Sequence, residues 1–87
     1  MADVNWIDWG RLEQFIPLDD LPQFHREFLK VVQPEGDWDA APLRQIQGKV
    51  QASLKRLERE GKAKTEGETL CVAKEVVPEG FQHYVDD

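Results

Sequence analysis

The segment 48–74 constrains the fold most, because it combines an amphipathic helical pattern, a glycine stop and two alternating segments. The apolar residues of its first half recur at spacings of four and three and so share one helical face: Val50, Leu54 and Leu57. Gly61 follows where a left-handed residue commonly ends a helix. The alternating segments 62–65 and 69–73 flank a turn centred on Gly67. The pattern predicts a helix, buried on one side, that leads directly into a β-hairpin.

The opposite side of this predicted helix carries small and basic side chains. At 100° per residue, it presents four residues with a fifth at the flank: Ala52, Lys55, Arg56 and Arg59, flanked by Lys49. Such a side is suited to contact with a partner.

The helix, glycine stop and hairpin together resemble the second half of a winged-helix domain. In that family a recognition helix ends in a Leu-Glu-x-x-Gly-like stop and runs into a two-stranded wing. The resemblance is carried by Leu54, Leu57, Glu58, Gly61, Lys62 and the hairpin around Gly67, and it spans residues 19–75 with the upstream helices. It implies an α+β fold, a winged helix-turn-helix with a three-helix core, a β-hairpin wing and an extra N-terminal helix. Winged helices include both DNA readers and protein-binding modules, so the fold leaves function open.

Two upstream helices are expected to complete the core. The segment 21–33 has an apolar stripe, with Leu29 beside it: Leu21, Phe24, Phe28, Val31 and Val32. The segment 40–47 reads as a short helix whose Leu43 and Ile46 face the core. Between these helices, 37–39 has the length of the single short strand of a winged helix, and 47–49 contains the glycine expected in a helix-turn-helix turn.

The N-terminal segment 4–16 is predicted to form a short helix capped by Asn5 or Asp8. Its tryptophans, Trp6 and Trp9, have two interpretations. They pack in the core, or they form an aromatic patch for a partner or a second copy of the chain.

The chain divides into an N-terminal helical extension (1–17), a winged-helix domain (18–75) and an acidic C-terminal tail (76–87). Three apolar residues of the tail either pack back on the body or bind a partner: Phe81, Tyr84 and Val85. With 87 residues, one modest core is expected.

The composition indicates a soluble intracellular protein, cytoplasmic or nuclear. No apolar run approaches the roughly 18 residues of a membrane span, and the N-terminus lacks the features of a secretion signal. The only cysteine, Cys71, is expected to be a small buried hydrophobe.

The net charge of −6 argues against a general nucleic-acid binder, but its distribution does not. Residues 44–64 hold seven basic residues against two acidic ones, whereas the rest of the chain holds four against fifteen. This basic segment is either a cationic contact face or an ordinary solvated surface.

No pattern for catalysis is present, so an enzyme is not expected. Ser53, the only serine, has no histidine near it in sequence, and phosphate-binding glycine loops are missing. His25 and His83 lack the spacing of metal ligands. The sequence predicts no cofactor, metal or small-molecule substrate.

The leading hypothesis is a DNA-binding transcriptional regulator that reads double-stranded DNA with a recognition helix over 49–60 and a wing over 62–72. Its candidate nucleic-acid-binding residues are Arg44, Lys49, Gln51, Ser53, Lys55, Arg56, Arg59, Lys62 and Lys64. A homodimer is expected, because the rest of the chain is acidic.

The alternative is a winged-helix adaptor that binds a protein through its cationic, acidic or tryptophan-rich surfaces. Exposure of Ala52 and Lys55 on a continuous basic face favours DNA. Acidic residues folded over the helix, from 19–20 or 86–87, favour the adaptor.

Overall fold

A short N-terminal strand, three helices and a β-hairpin make up the fold in the computed structural model, which describes residues 5–84. The elements are β1 (Trp6–Asp8), α1 (Trp9–Phe15), α2 (Leu21–Val32), α3 (Leu43–Glu60), β2 (Ala63–Glu66) and β3 (Thr69–Ala73). Two 3₁₀ segments follow, Lys74–Val76 and Glu79–Tyr84. The chain is therefore an α+β protein with a small antiparallel sheet. Within the described range, no helix has the length and apolarity needed to cross a membrane.

The sheet has the order β1-β3-β2, with both neighbouring pairs antiparallel. Gly67 has a φ of 62° in the two-residue turn that joins β2 to β3, which explains the glycine there. The hairpin prediction is confirmed. The predicted strand over 37–39 is wrong, because that segment forms a turn and the third strand is β1.

The N-terminal helix is shorter than predicted, because residues 6–8 pair with β3. It begins at Trp9, and the Asp8 carboxylate accepts a hydrogen bond from the Arg11 backbone N–H at 3.1 Å. Asp8 is therefore the N-cap.

α3 is one uninterrupted helix, so the predicted short helix over 40–47 and the turn over 47–49 are wrong. Ile46 and Val50 are both buried, and their spacing of four continues the apolar stripe across Gly48. Burial of this stripe offsets the roughly 1 kcal/mol that a mid-helix glycine costs relative to alanine. The connection from α2 to α3 is the segment 33–42, much longer than the turn of a helix-turn-helix motif.

The predicted stop at Gly61 is confirmed. Gly61 has a φ of 80°, and the Lys62 N–H donates to the Leu57 carbonyl at 2.8 Å. The Gly61 N–H also donates, to the Glu58 carbonyl at 3.3 Å. These bonds satisfy carbonyl groups at the end of α3 and direct the chain into β2.

Aromatic packing at the centre of the core joins all three predicted segments of the chain. The Phe24 ring on α2 lies 5.2 Å from the Trp9 ring and 5.2 Å from the Phe81 ring, measured between centroids. Val76 and Val77 are buried in the same cluster. The division at 17/18 and 75/76 therefore does not correspond to separate cores, and the tail up to Tyr84 packs on the body; Val85 lies outside the described residues.

Most, but not all, of the predicted core residues are buried. Those on the apolar side of α3 are buried as expected: Val50, Leu54 and Leu57. The prediction is wrong for Val31 and Leu43, which are 45% and 48% exposed. Cys71 is half-buried, more exposed than predicted.

The connection 33–42 is held against α2 by Trp38 and Arg26. The Trp38 indole N–H donates to the Gln33 carbonyl at 2.7 Å, and the Arg26 guanidinium donates to the Trp38 and Ala41 carbonyls. Gly36 lies directly against the indole ring, where a Cβ atom would overlap the ring atoms.

We expect Gly36→Ala to lower the free energy of unfolding by about 1–3 kcal/mol, because the methyl group displaces the Trp38 ring. Gly48→Ala is the matched control, since an added Cβ there has no atom within 4 Å. It should stabilise the protein by about 0.5–1 kcal/mol through helix propensity. Urea unfolding followed by circular dichroism measures both, and equal effects would contradict the close packing of Gly36.

Candidate nucleic-acid interface

The solvent side of α3 carries most of the predicted nucleic-acid-binding residues. They are exposed along the helix, opposite its buried stripe: Arg44, Lys49, Gln51, Lys55, Arg56 and Arg59. We call these six residues, with the exposed Gly48 and Ala52 between them, the cationic face. Arg44 and Arg59 lie fifteen residues apart, or about 22 Å along the helix axis at 1.5 Å per residue.

The cationic face contains no acidic residue. Projected at 100° per residue, an arc of about 160° of α3 runs from Gln51 to Lys49 without a carboxylate. The two acidic residues of the helix, Glu58 and Glu60, flank this arc on opposite sides. The basic side chains therefore form a continuous positive stripe.

Most cations of this face make no ion pair with the residues that the structure describes. Arg56 is the exception, since its Nε lies 3.1 Å from the Glu60 carboxylate. Among residues 5–84, no ion pair involves the other four basic residues of the cationic face, Arg44, Lys49, Lys55 and Arg59. Their charge is available to an anionic partner.

Ser53 does not belong to this face, which corrects its assignment as a nucleic-acid-binding residue. It is 2% exposed, and its hydroxyl accepts a hydrogen bond from the Gln33 amide at 3.3 Å. Its position three residues after Val50 places it on the buried stripe. It links α3 to the connection 33–42 instead of facing solvent.

The hairpin adds two lysines in different environments. Lys62 is exposed directly after the Gly61 stop, and it lines a hollow together with Arg56, Glu60 and Glu75. Lys64 is half-buried, and its ammonium lies 2.8 Å from the Glu66 carboxylate and 4.7 Å from the Trp6 ring centroid. The hydrogen bond from Lys64, together with its charge, lowers the pKa of Glu66 below its ordinary value. The positive charge of Lys64 is therefore largely balanced by Glu66.

The two N-terminal tryptophans have different environments. Trp9 is buried against Phe28, with ring centroids 4.8 Å apart, so its core interpretation is confirmed. Trp6 is half-buried and packs on the outer side of the sheet. Only Trp6 remains accessible to a partner.

A pocket that sequence reasoning missed lies beside Trp6. This aromatic pocket has a volume of about 270 Å³, and its walls include Trp6, Asp8, Arg11, Phe15 and Tyr84. The Arg11 guanidinium carbon lies 5.3 Å from the centre of the Phe15 ring. No sequence signal locates this pocket, because Tyr84 reaches β1 and α1 only through the folded C-terminal segment.

His25 joins α2 to α1 through a side-chain hydrogen bond. Its Nε2 lies 2.7 Å from a Glu13 carboxylate oxygen. Among residues 5–84, no group of three or more potential ligands is placed to hold a metal ion.

The chain has no match among models of known protein families, curated proteins or solved structures.

Proposed function

We propose that this protein binds double-stranded DNA through the cationic face of α3, with Lys62 as an additional phosphate contact, and acts in transcriptional regulation. The observation that carries the proposal is the acid-free arc of α3, whose four basic residues without ion pairs in the described part of the chain are exposed on a protein of net charge −6. Solvated surface helices usually mix both signs of charge and pair them along the helix. Here the acids lie on either side of the arc, which favours a polyanionic partner.

The dimensions of α3 suit a DNA groove. An α-helix with its side chains fits the major groove of B-DNA, which is about 12 Å wide. Gly48 and Ala52 lie in the middle of the cationic face, so the helix backbone can approach the groove floor closely there. Gln51 would read an adenine edge, while the flanking lysines and arginines would hold phosphates.

The order of helices and strands partly supports a winged-helix mode of DNA binding. The helix enters a two-stranded hairpin through a glycine stop, and the third strand pairs with β3. Two features differ from the expected pattern: β1 precedes the first helix, and 33–42 replaces a short helix-to-helix turn. The proposal therefore depends on the charged face more than on the fold resemblance.

The sequence criterion that distinguishes DNA binding from an adaptor role also supports DNA. Ala52 and Lys55 are both exposed, and neither Asp19 nor Asp20 makes an ion pair within residues 5–84. The other acidic residues considered for this role, Asp86 and Asp87, lie outside the described residues.

The direct test is fluorescence anisotropy of a labelled random duplex titrated with the protein at several salt concentrations. If about four phosphate contacts form, the affinity should fall about a hundredfold between 50 and 200 mM salt, because each contact releases a counterion. The control variant Asn5→Asp, Gln14→Glu adds two negative charges at exposed positions away from α3. It should weaken binding much less than charge changes on the cationic face do. Absence of binding at 50 mM salt would refute the proposal.

A protein adaptor is the second candidate function, and one observation favours it. Leu18 is 84% exposed, and with Leu43 it borders a shallow hollow between the starts of α2 and α3. Exposed apolar groups that lie together are common at protein interfaces. An adaptor would show no salt-dependent affinity for duplex DNA, so the same titration separates the two functions.

A further inference from the structure

The aromatic pocket beside Trp6 combines rings with one acid and one base. Trp6, Phe15 and Tyr84 supply the rings, from β1, from the end of α1 and from the C-terminal 3₁₀ segment. Asp8 and Arg11 supply a carboxylate and a guanidinium at the start of α1. The pocket is open to solvent, so its rings and its two charged groups are accessible to a ligand.

The charges of this pocket do not favour a cationic ligand. The Arg11 guanidinium offsets the Asp8 carboxylate, and it already contacts the Phe15 ring. One face of Trp6 is likewise in contact with the Lys64 ammonium, whose charge is balanced by Glu66. A lysine or arginine side chain of a partner would find no net negative charge among the described residues of the pocket, and it would meet the Arg11 and Lys64 cations beside the rings. A planar ring that is not cationic is the better occupant.

The Asp8 carboxylate and the Arg11 guanidinium favour a planar ring that carries both hydrogen-bond donors and acceptors. A carboxylate accepts hydrogen bonds, and guanine offers adjacent N–H donors on its Watson–Crick edge. A guanidinium donates, and guanine O6 and N7 accept in the most common specific contact of arginine with a base. Guanine therefore offers one edge with adjacent donors for the carboxylate and another with adjacent acceptors for the guanidinium. Stacking on the aromatic rings is possible for any base and does not add to this preference.

We propose that the aromatic pocket binds a guanine base, stacked on its rings and hydrogen-bonded to Asp8 and Arg11. The base can come from a free nucleotide or from an unpaired position of a nucleic acid, and both present the same ring. This site is separate from the cationic face of α3. The inference therefore goes beyond the proposed duplex binding and does not depend on it.

The test is an NMR titration of ¹⁵N-labelled protein with GMP, AMP, CMP and UMP, following the Trp6 indole N–H and the Arg11 backbone amide. GMP is expected to shift both signals and to bind about tenfold more tightly than the other nucleotides. The indole signals of the buried Trp9 and Trp38 should move little. No shift with any nucleotide, or equal affinities for all four, would overturn the guanine assignment.

Two variants separate recognition from folding. Asparagine caps helices as well as aspartate does, so Asp8→Asn keeps the cap of α1 while it removes the charge. It should abolish most of the preference for GMP over AMP. Phe15→Leu at the exposed end of α1 should weaken binding of all four nucleotides, because it removes a stacking ring. Unchanged affinities in both variants would overturn the proposal.

The source of the base and the class of ligand are tested in the same spectra. Tenfold tighter binding of a single-stranded dG oligonucleotide than of GMP, measured on the Lys55→Glu, Arg59→Glu variant, would indicate a nucleic-acid ligand, whereas equal affinities would indicate a free nucleotide. Stronger shifts with an arginine-rich peptide than with GMP would refute the proposal. The Lys55→Glu, Arg59→Glu variant should keep its GMP shifts, so failure of duplex binding is distinguishable from failure of the pocket.

Discussion

Reversing the charges of Lys55 and Arg59 is expected to weaken duplex binding by about a hundredfold or more at low salt. Both residues are exposed near the middle of the acid-free arc, without ion pairs among residues 5–84. Lys55→Glu, Arg59→Glu removes two phosphate contacts and places two carboxylates against the DNA backbone. Anisotropy titration at 50 mM salt measures the loss. The helical fold should persist, because neither side chain contributes to the core.

A neutral pair of substitutions separates local contacts from net charge. Lys55→Gln, Arg59→Gln changes the net charge by the same amount as the control Asn5→Asp, Gln14→Glu. The first should reduce both the affinity and the steepness of its salt dependence, by about two counterions. The second should leave the steepness unchanged. Equal losses in the two variants would mean that the overall charge of the protein, not the cationic face, governs DNA binding.

Truncating Phe24 is expected to cause the largest loss of stability, about 3–5 kcal/mol. Phe24 is fully buried, and its ring contacts Trp9 from α1 and Phe81 from the C-terminal segment. Phe24→Ala leaves a cavity where the three parts of the chain meet. For a small domain with a total stability of about 5–15 kcal/mol, this loss approaches unfolding.

Chemical unfolding monitored by two probes tests this expectation. Tryptophan fluorescence and far-UV circular dichroism should give coincident transitions in the wild type, and the midpoint should fall sharply in Phe24→Ala. Phe15→Ala is the matched control, since Phe15 is half exposed at the end of α1 and should cost no more than about 1 kcal/mol. Separate transitions for the two probes would show that the N-terminal and C-terminal segments fold independently of the core.

The sequence predicts correctly those elements whose formation depends on residues close together in the chain. α2 follows from its apolar stripe, the end of α3 from Gly61, and the hairpin from alternation around Gly67. The exposed cations of α3 follow from the helical period in the same way. These features need only a few neighbouring residues, so they can be inferred without tertiary contacts.

The features that were missed depend on contacts distant in sequence. β1 is only three residues long, and it is a strand because Ile7 pairs with Val72. Gly48 suggested a turn, yet the buried stripe that runs from Ile46 to Val50 keeps the helix intact. The predicted contact residue Ser53 instead bonds to Gln33, twenty residues away in the sequence, on the buried side of α3. Tertiary packing overrides residue preference at these positions.

The strand order has a consequence for biosynthesis. β3 lies between β1 and β2 and is the last of the three strands in the chain, so neither of the other two has a partner until β3 is present. A nascent chain emerging from the ribosome can form its helices early, because helical contacts are local. It cannot close its sheet until residues 69–73 have been released. We therefore expect the native fold to form only after β3 has emerged, however early the helices appear.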